Sequence, residues 1–202
     1  MYQRSKKLAG MPVISLADGQ ALGRIKRLLI DHRNMAVAGL ILDRKGWFKE
    51  QAVIPYDHVN NVGSHAVTVD QASAVVKLSS MPELENLSKN PVPLLGTKVI
   101  TEEGAVLGVV EDFWFEPQDG KICYLELKGH LLQGKSQLPA EFIRTCGRDA
   151  LIARAGAENS LQRPKSLFSA AYRERAAAAG EKISHRLGSY LQRLPWKNRN
   201  DG

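Results

Sequence analysis

Side chains able to do acid–base, nucleophilic or metal chemistry are few and scattered along this chain of 202 residues. The five histidines, His32, His58, His65, His130 and His185, show no ligand spacing. His58 and His65 flank a glycine turn, and surface or turn histidines are the expected reading of them. Cys123 lies in an apolar run and is expected in a core. Cys146 precedes Gly147 at a turn, with Arg144 and Arg148 near in sequence but no His or acid arranged to complete a nucleophile. Two cysteines, both late in the chain, argue against a disulfide framework and fit a reducing compartment. Carboxylates recur as equivalent pairs, Asp31 with Glu116 and Asp57 with Glu141. Paired carboxylates can do acid–base work, but each of these pairs is divided between two halves of the chain, so a turn or capping role is expected. Gly19, Gly23, Gly104 and Gly108 lack the strand–loop–helix context and the lysine of a phosphate loop. The residues assign no catalytic position, no metal site and no cofactor, and the expectation is that the protein is not an enzyme.

The elements that hold these residues are written twice. Gly10-Met-Pro-Val13-Ile14, then Asp18-Gly19-Gln-Ala-Leu22-Gly23, is answered by Gly96-Thr-Lys-Val99-Ile100, then Glu103-Gly104-Ala-Val-Leu107-Gly108. Leu28-Leu29-Ile30-Asp31 matches Phe113-Trp114-Phe115-Glu116, Ile54-Pro55 matches Leu138-Pro139, and Gly63 matches Gly147. A repeat of this kind decides architecture before any single residue does. Each copy reads as five or six short strands broken by turns, which predicts a small closed or partly closed barrel. Pro55 and Pro139 suit strand ends, where a missing N–H costs little.

Residues 76–93 form a linker between the copies. Ser80 with Glu83 reads as a capping box, with Pro82 in the first turn, and predicts a short spacer helix ending before Asn90-Pro91. After Leu161 the period becomes helical. Phe168, Tyr172, Ala176, Ala179, Ile183, Leu187, Tyr190 and Leu194 recur with a spacing of about 3.67 residues per turn. The expected domains are a first barrel at 8–75, a second at 94–157, a basic amphipathic helix at 164–195 and a disordered tail at 196–202. The net charge of +7 is concentrated at this end: residues 162–202 hold 9 basic and 3 acidic side chains. The opening Met1-Tyr-Gln-Arg4-Ser-Lys6-Lys7 has no apolar core after it, so no secretory signal is expected, and no apolar run approaches a membrane span.

The repeated unit resembles the PRC-barrel domain. The likeness rests on Asp18-Gly19-Gln-Ala-Leu22-Gly23-Arg-Ile, Val37-Ala-Gly39-Leu40 and Val53-Ile-Pro55-Tyr-Asp57-His-Val59 in the first copy. In the second it rests on Glu103-Gly104-Ala-Val-Leu107-Gly108, Asp119-Gly120-Lys-Ile122 and Leu138-Pro139-Ala-Glu-Phe142-Ile143. Similar domains occur in the H subunit of photosynthetic reaction centres and in a ribosome maturation factor. Met35 stands where the second copy has the turn glycine Gly120. The resemblance implies a mainly β fold, two tandem small PRC-type β-barrels followed by a long amphipathic C-terminal α-helix, and a non-catalytic adaptor role with no catalytic residue to carry over.

Candidate interaction residues are Trp47 and Phe48, apolar at a loop tip, and Arg175, Lys182, Arg186 and Arg193, which fall along one border of the apolar helical stripe. An apolar stripe with a basic edge suits an anionic membrane surface or self-association into a homo-oligomer. The function expected is an adaptor or scaffold that binds a protein partner through its barrels, in the cytoplasm and peripheral at the inner face of the membrane. The alternative is an RNA-processing or ribosome-assembly factor acting through a ribosomal protein. Direct nucleic-acid binding is disfavoured, because residues 1–161 balance 19 basic against 18 acidic side chains.

Overall fold

The computed structural model of the protein describes residues 2–43, 50–129 and 134–162. In chain order the elements of the first copy are β1 (Gln3–Arg4), a helical turn α1 (Ser5–Leu8), β2 (Pro12–Ser15), β3 (Ala21–Asp31), β4 (Ala36–Asp43), β5 (Ala52–Pro55), β6 (Val59–Val62), β7 (Val67–Val69) and β8 (Val76–Lys77). After α2 (Pro82–Lys89) come β9 (Lys98–Thr101), β10 (Val106–Phe115), β11 (Ile122–Gly129), β12 (Lys135–Pro139), β13 (Ile143–Cys146) and β14 (Ala150–Ala153).

The repeat in sequence is a repeat in topology. The first sheet runs β6-β7-β2-β3-β4-β5-β8 and the second runs β12-β11-β10-β9-β14-β13. In each, the first strand of the unit pairs antiparallel with the next and parallel with the last, β2 with β7 and β9 with β14. Both proline-ended strands pass into a single 3-10 turn, Tyr56–His58 or Ala140–Phe142. Gly63 N–H donates to Ala66 and Gly147 N–H to Ala150, each at 2.9 Å. Alternation sends Leu28 and Ile30, or Phe113 and Phe115, inward.

The barrels meet about a pseudo-twofold axis. The turn ahead of β4 abuts the turn ahead of β11, and Ala36 bridges its own repeat counterpart, Lys121. Val37 N–H donates to Gly120 C=O (2.9 Å), and Ile122 N–H donates to Met35 C=O (2.8 Å). These two bonds interchange under the repeat. Met35 is the one non-glycine with positive φ (+48°) among the described residues, so the substitution seen in sequence keeps the left-handed turn. Its thioether lies 3.5 Å from the Cys146 thiol. Opposite it, Gly120 is required: a Cβ there would stand 2.7 Å from Val37 C=O and 2.8 Å from the Tyr56 ring.

Two expectations about the connections change. The barrels are not separate bodies on a spacer, because one continuous core runs from Leu8, Val13 and Leu40 to Val99, Phe113 and Leu125. Tyr56 reinforces the junction, donating its hydroxyl to Pro117 C=O at 3.0 Å with its ring edge-on to Phe115. Nor is α2 a spacer. Leu84 packs with Leu29, Ile41, Val53 and Leu78 on the outer face of the first sheet, a surface apolar on both sides and therefore in need of a cover. Pro82 opens this helix as read, but Met81 is the N-cap and no side chain caps it. Ser80 belongs to the preceding 3-10 turn and donates back to Lys77 C=O at 2.7 Å, so the capping box does not form.

Candidate functional site

The strongest gathering of ionisable side chains is one that the sequence reading did not assemble. β1 adds to the edge of β10, Gln3 opposite Phe115 and Arg4 opposite Trp114. Arg4 Nε donates to Asp112 Oδ2 (3.0 Å), and Arg4 Nη2 reaches both oxygens of Glu126 (2.8 Å each). Its guanidinium lies 5.2 Å from the centre of the Trp114 ring. Asp112 is fully buried. Its Oδ1 also accepts from the Ser5 hydroxyl (2.5 Å) and from the backbone N–H of Phe113 (2.9 Å) and Lys6 (3.3 Å). Lys135 Nζ donates to Glu126 (2.7 Å) and pairs with Glu111 (2.8 Å). The Lys135 ammonium beside it holds the Glu111 carboxyl below its ordinary pKa, and the bonds to Glu111 and Glu126 raise that of Lys135. Each carboxylate here is matched by donors, which is the arrangement of a clamp rather than of an acid–base pair. One signal pointed to it: Glu111, Asp112 and Glu126 interrupt runs that are otherwise apolar, Val109-Val110 before Phe113 and Leu125 beside Leu127.

The other chemistry-bearing residues stay apart. Asp31 closes the turn after β3, accepting from the N–H groups of Arg33 (2.9 Å) and Asn34 (3.2 Å) and from Asn34 Nδ2 (2.7 Å). That is the turn role expected of it. Asp57 and Glu141 are the middle residues of the two equivalent 3-10 turns. His58 lies in a polar depression with Asp57 and Asp70, away from His65. Among the described residues, no group of three or more His, Cys, Asp or Glu is placed to hold a metal ion.

The cysteines exchange the settings expected of them. Cys123 is half-buried outside the core, bonded weakly to Lys121 C=O, because its register on β11 turns it outward. Cys146 packs against the core beside Met35. Burial pushes both thiols up in pKa, the direction opposite to that of a reactive cysteine. Trp47, Phe48, Arg175, Lys182, Arg186 and Arg193 lie outside the described residues, as do Leu131, Leu132, His130 and His185. No helix among the described residues is long and apolar enough to cross a membrane.

One groove stands at the barrel junction. It has a volume of about 400 Å³ and is bounded by residues 25–30 of β3, by α1, by the Pro91–Leu95 segment and by Phe113. Its floor is aliphatic, its charged residues are Lys6, Lys26 and Arg27, and no His, Cys, Asp or Glu lines it.

The fold and these sites define a tandem-barrel protein whose buried charges hold its parts together. The model of the PRC-barrel domain matches residues 3–76 and again 92–159, most of the chain. The protein belongs to the PRC-barrel family, as two tandem domains of mainly β structure. No curated protein matches it.

Proposed function

We propose that the protein is a non-catalytic adaptor. It binds a protein partner through its barrel pair and uses the basic C-terminal segment to sit at an anionic membrane surface or to self-associate. The observation that carries this reading is the groove at the barrel junction. Its lining is mainly aliphatic, with Phe113, the Ser5 hydroxyl and three cations, which suits holding a polypeptide; the Ser5 hydroxyl is committed to the buried Asp112, and no His, Cys, Asp or Glu lines the groove. Membership of a family of small interaction barrels is compatible with the same role. The charge excess of residues 162–202 supports a separate, electrostatic contact for the tail.

Two comparisons test this. Affinity capture with the full chain, from the cytosolic and membrane fractions of its source, should return a protein at fixed stoichiometry; recovery of the bait alone from both fractions refutes the adaptor role. A chain ending at Gln162, the last described residue, should keep its fold yet lose flotation with anionic vesicles or lose self-association by light scattering. Identical behaviour of the two chains in both assays removes the role given to the tail. The non-catalytic reading would be overturned by one folded alanine variant at His58, His65, Cys123 or Cys146 that loses a defined turnover.

A further inference from the structure

The two barrels correspond strand for strand from β2 to β7 and from β9 to β14; β8 is answered on β12 only by the isolated Gln137–Gln162 bridge, and the edges of β3 and β10 differ. In the second sheet, β9 covers β10 only as far as Val109, and β1 takes the edge beyond it, at Trp114 and Phe115. In the first sheet, β2 covers β3 as far as Arg24, Gly10 and Met11 bond both main-chain groups of Ile25, and among the described residues no strand takes the edge beyond. By the repeat, the segment that should fill it is Lys89–Asn90. That segment instead ends α2, with Asn90 N–H still bonded to Asn86 C=O, and Pro91 and Pro93 follow. Proline has no N–H to donate and cannot build a ladder. The edge of β3 therefore borders the groove of about 400 Å³ where its counterpart carries a strand.

The charge at this edge is also inverted. In the occupied site Asp112 and Glu126 receive Arg4 from the added strand. The repeat counterparts of Asp112, Trp114 and Glu126 are Arg27, Leu29 and Ile41. Arg27 spends one of its donors on Ser88 Oγ at 2.7 Å; Lys26 and Lys6 stand with it along the groove, and no acid lines it. An unpaired strand edge beside an apolar trough takes an extended peptide by main-chain bonds, and flanking charge selects which one.

We infer that the groove along residues 26–30 of β3 is a strand-addition site for an extended acidic segment of another protein, seated on β3 as β1 is seated on β10. The chain's own tail is excluded by charge, since residues 162–202 carry 9 basic against 3 acidic side chains. A second copy's β1 is excluded on the same ground, bringing Arg4, Lys6 and Lys7. The inference rests on the adaptor reading and assigns it a surface and a ligand class.

The test uses the full chain, ¹⁵N-labelled, and three pools of eight-residue peptides. One alternates Val, Ile and Thr with Asp and Glu, one carries Lys in place of the acids, and one is the acidic pool N-methylated at alternate residues. The acidic pool should shift the amide resonances of residues 25–31. The basic pool should not, and N-methylation should weaken binding at least tenfold. Arg27→Glu and Lys26→Glu should each weaken the acidic pool at least tenfold and admit the basic one. Equal binding of the methylated pool overturns strand addition, as do shifts that map elsewhere or an absence of shifts at millimolar peptide. The two readings fail separately. A partner still captured by Arg27→Glu leaves the adaptor standing and removes the groove from it, whereas no partner for the unaltered chain removes the adaptor itself.

Discussion

Arg4→Ala tests whether the start of the chain is a structural part of the second barrel. The first residues of most domains fray and tolerate substitution with little loss. Here Arg4 makes three hydrogen bonds to carboxylates 108 and 122 residues away. Removing one partner of a buried ion pair costs about 3–5 kcal/mol. Two features reduce that figure. The Arg4 side chain is 30% exposed, so water reaches part of the gap, and Asp112 keeps Ser5 and two backbone N–H donors while Glu126 keeps Lys135. A loss of about 2–3 kcal/mol remains. For a unit of this size that lowers Tm by roughly 5–10 °C. Urea unfolding gives the free energy, and a cycle with Asp112→Asn isolates the pair, with an expected coupling of at least about 1 kcal/mol. Hydrogen exchange should quicken along β10 and not along β3. A loss below about 0.5 kcal/mol, or exchange that rises equally in both strands, would show that β1 merely rests on the barrel and would refute the clamp.

Gly120→Ala should destabilise by about 2–4 kcal/mol in the same urea assay, since it adds a collision with Val37 and Tyr56 to the left-handed penalty. Gly10→Ala, at φ +76° with open space around it, should cost only about 1–2 kcal/mol, and equal losses would mean that the barrel junction yields freely. For Asp31, burial acts to raise the carboxyl pKa, but the bonds from Asn34 and Arg33 outweigh it and hold the group below its ordinary value. Its contribution is therefore complete above the ordinary carboxylate pKa and is lost as pH falls through the lower folded value. Asp31→Asn should flatten that acid limb of a stability–pH profile, and an unchanged profile would show that the turn bonds do not favour the charged form.

The repeat carried most of the fold. Asp18-Gly19 and Glu103-Gly104, the proline-ended strands and the paired Gly63 and Gly147 turns are local signals, read within a few residues, and each falls where it was expected. Met35 was also legible, because alignment of the two copies put it opposite a turn glycine. The clamp was visible only as an oddity, acids breaking apolar runs. The capping box failed because Ser80 and Glu83 fit a local template while the preceding residues closed a 3-10 turn that withdrew the serine.

What the sequence by itself determined is the set of strands, their turns and the doubling of the unit, since alternation and turn chemistry act between neighbours. The tertiary structure decided the rest. It joined Ala36 to Lys121 across the pseudo-dyad, carried Arg4 to Asp112 and Glu126, laid α2 over the first sheet and left the edge of β3 uncovered beside Pro91 and Pro93. These contacts link residues far apart along the chain through single side chains and single bonds. They leave no periodic trace in the sequence, because what selects them is the space and charge remaining once both sheets have packed on a common core.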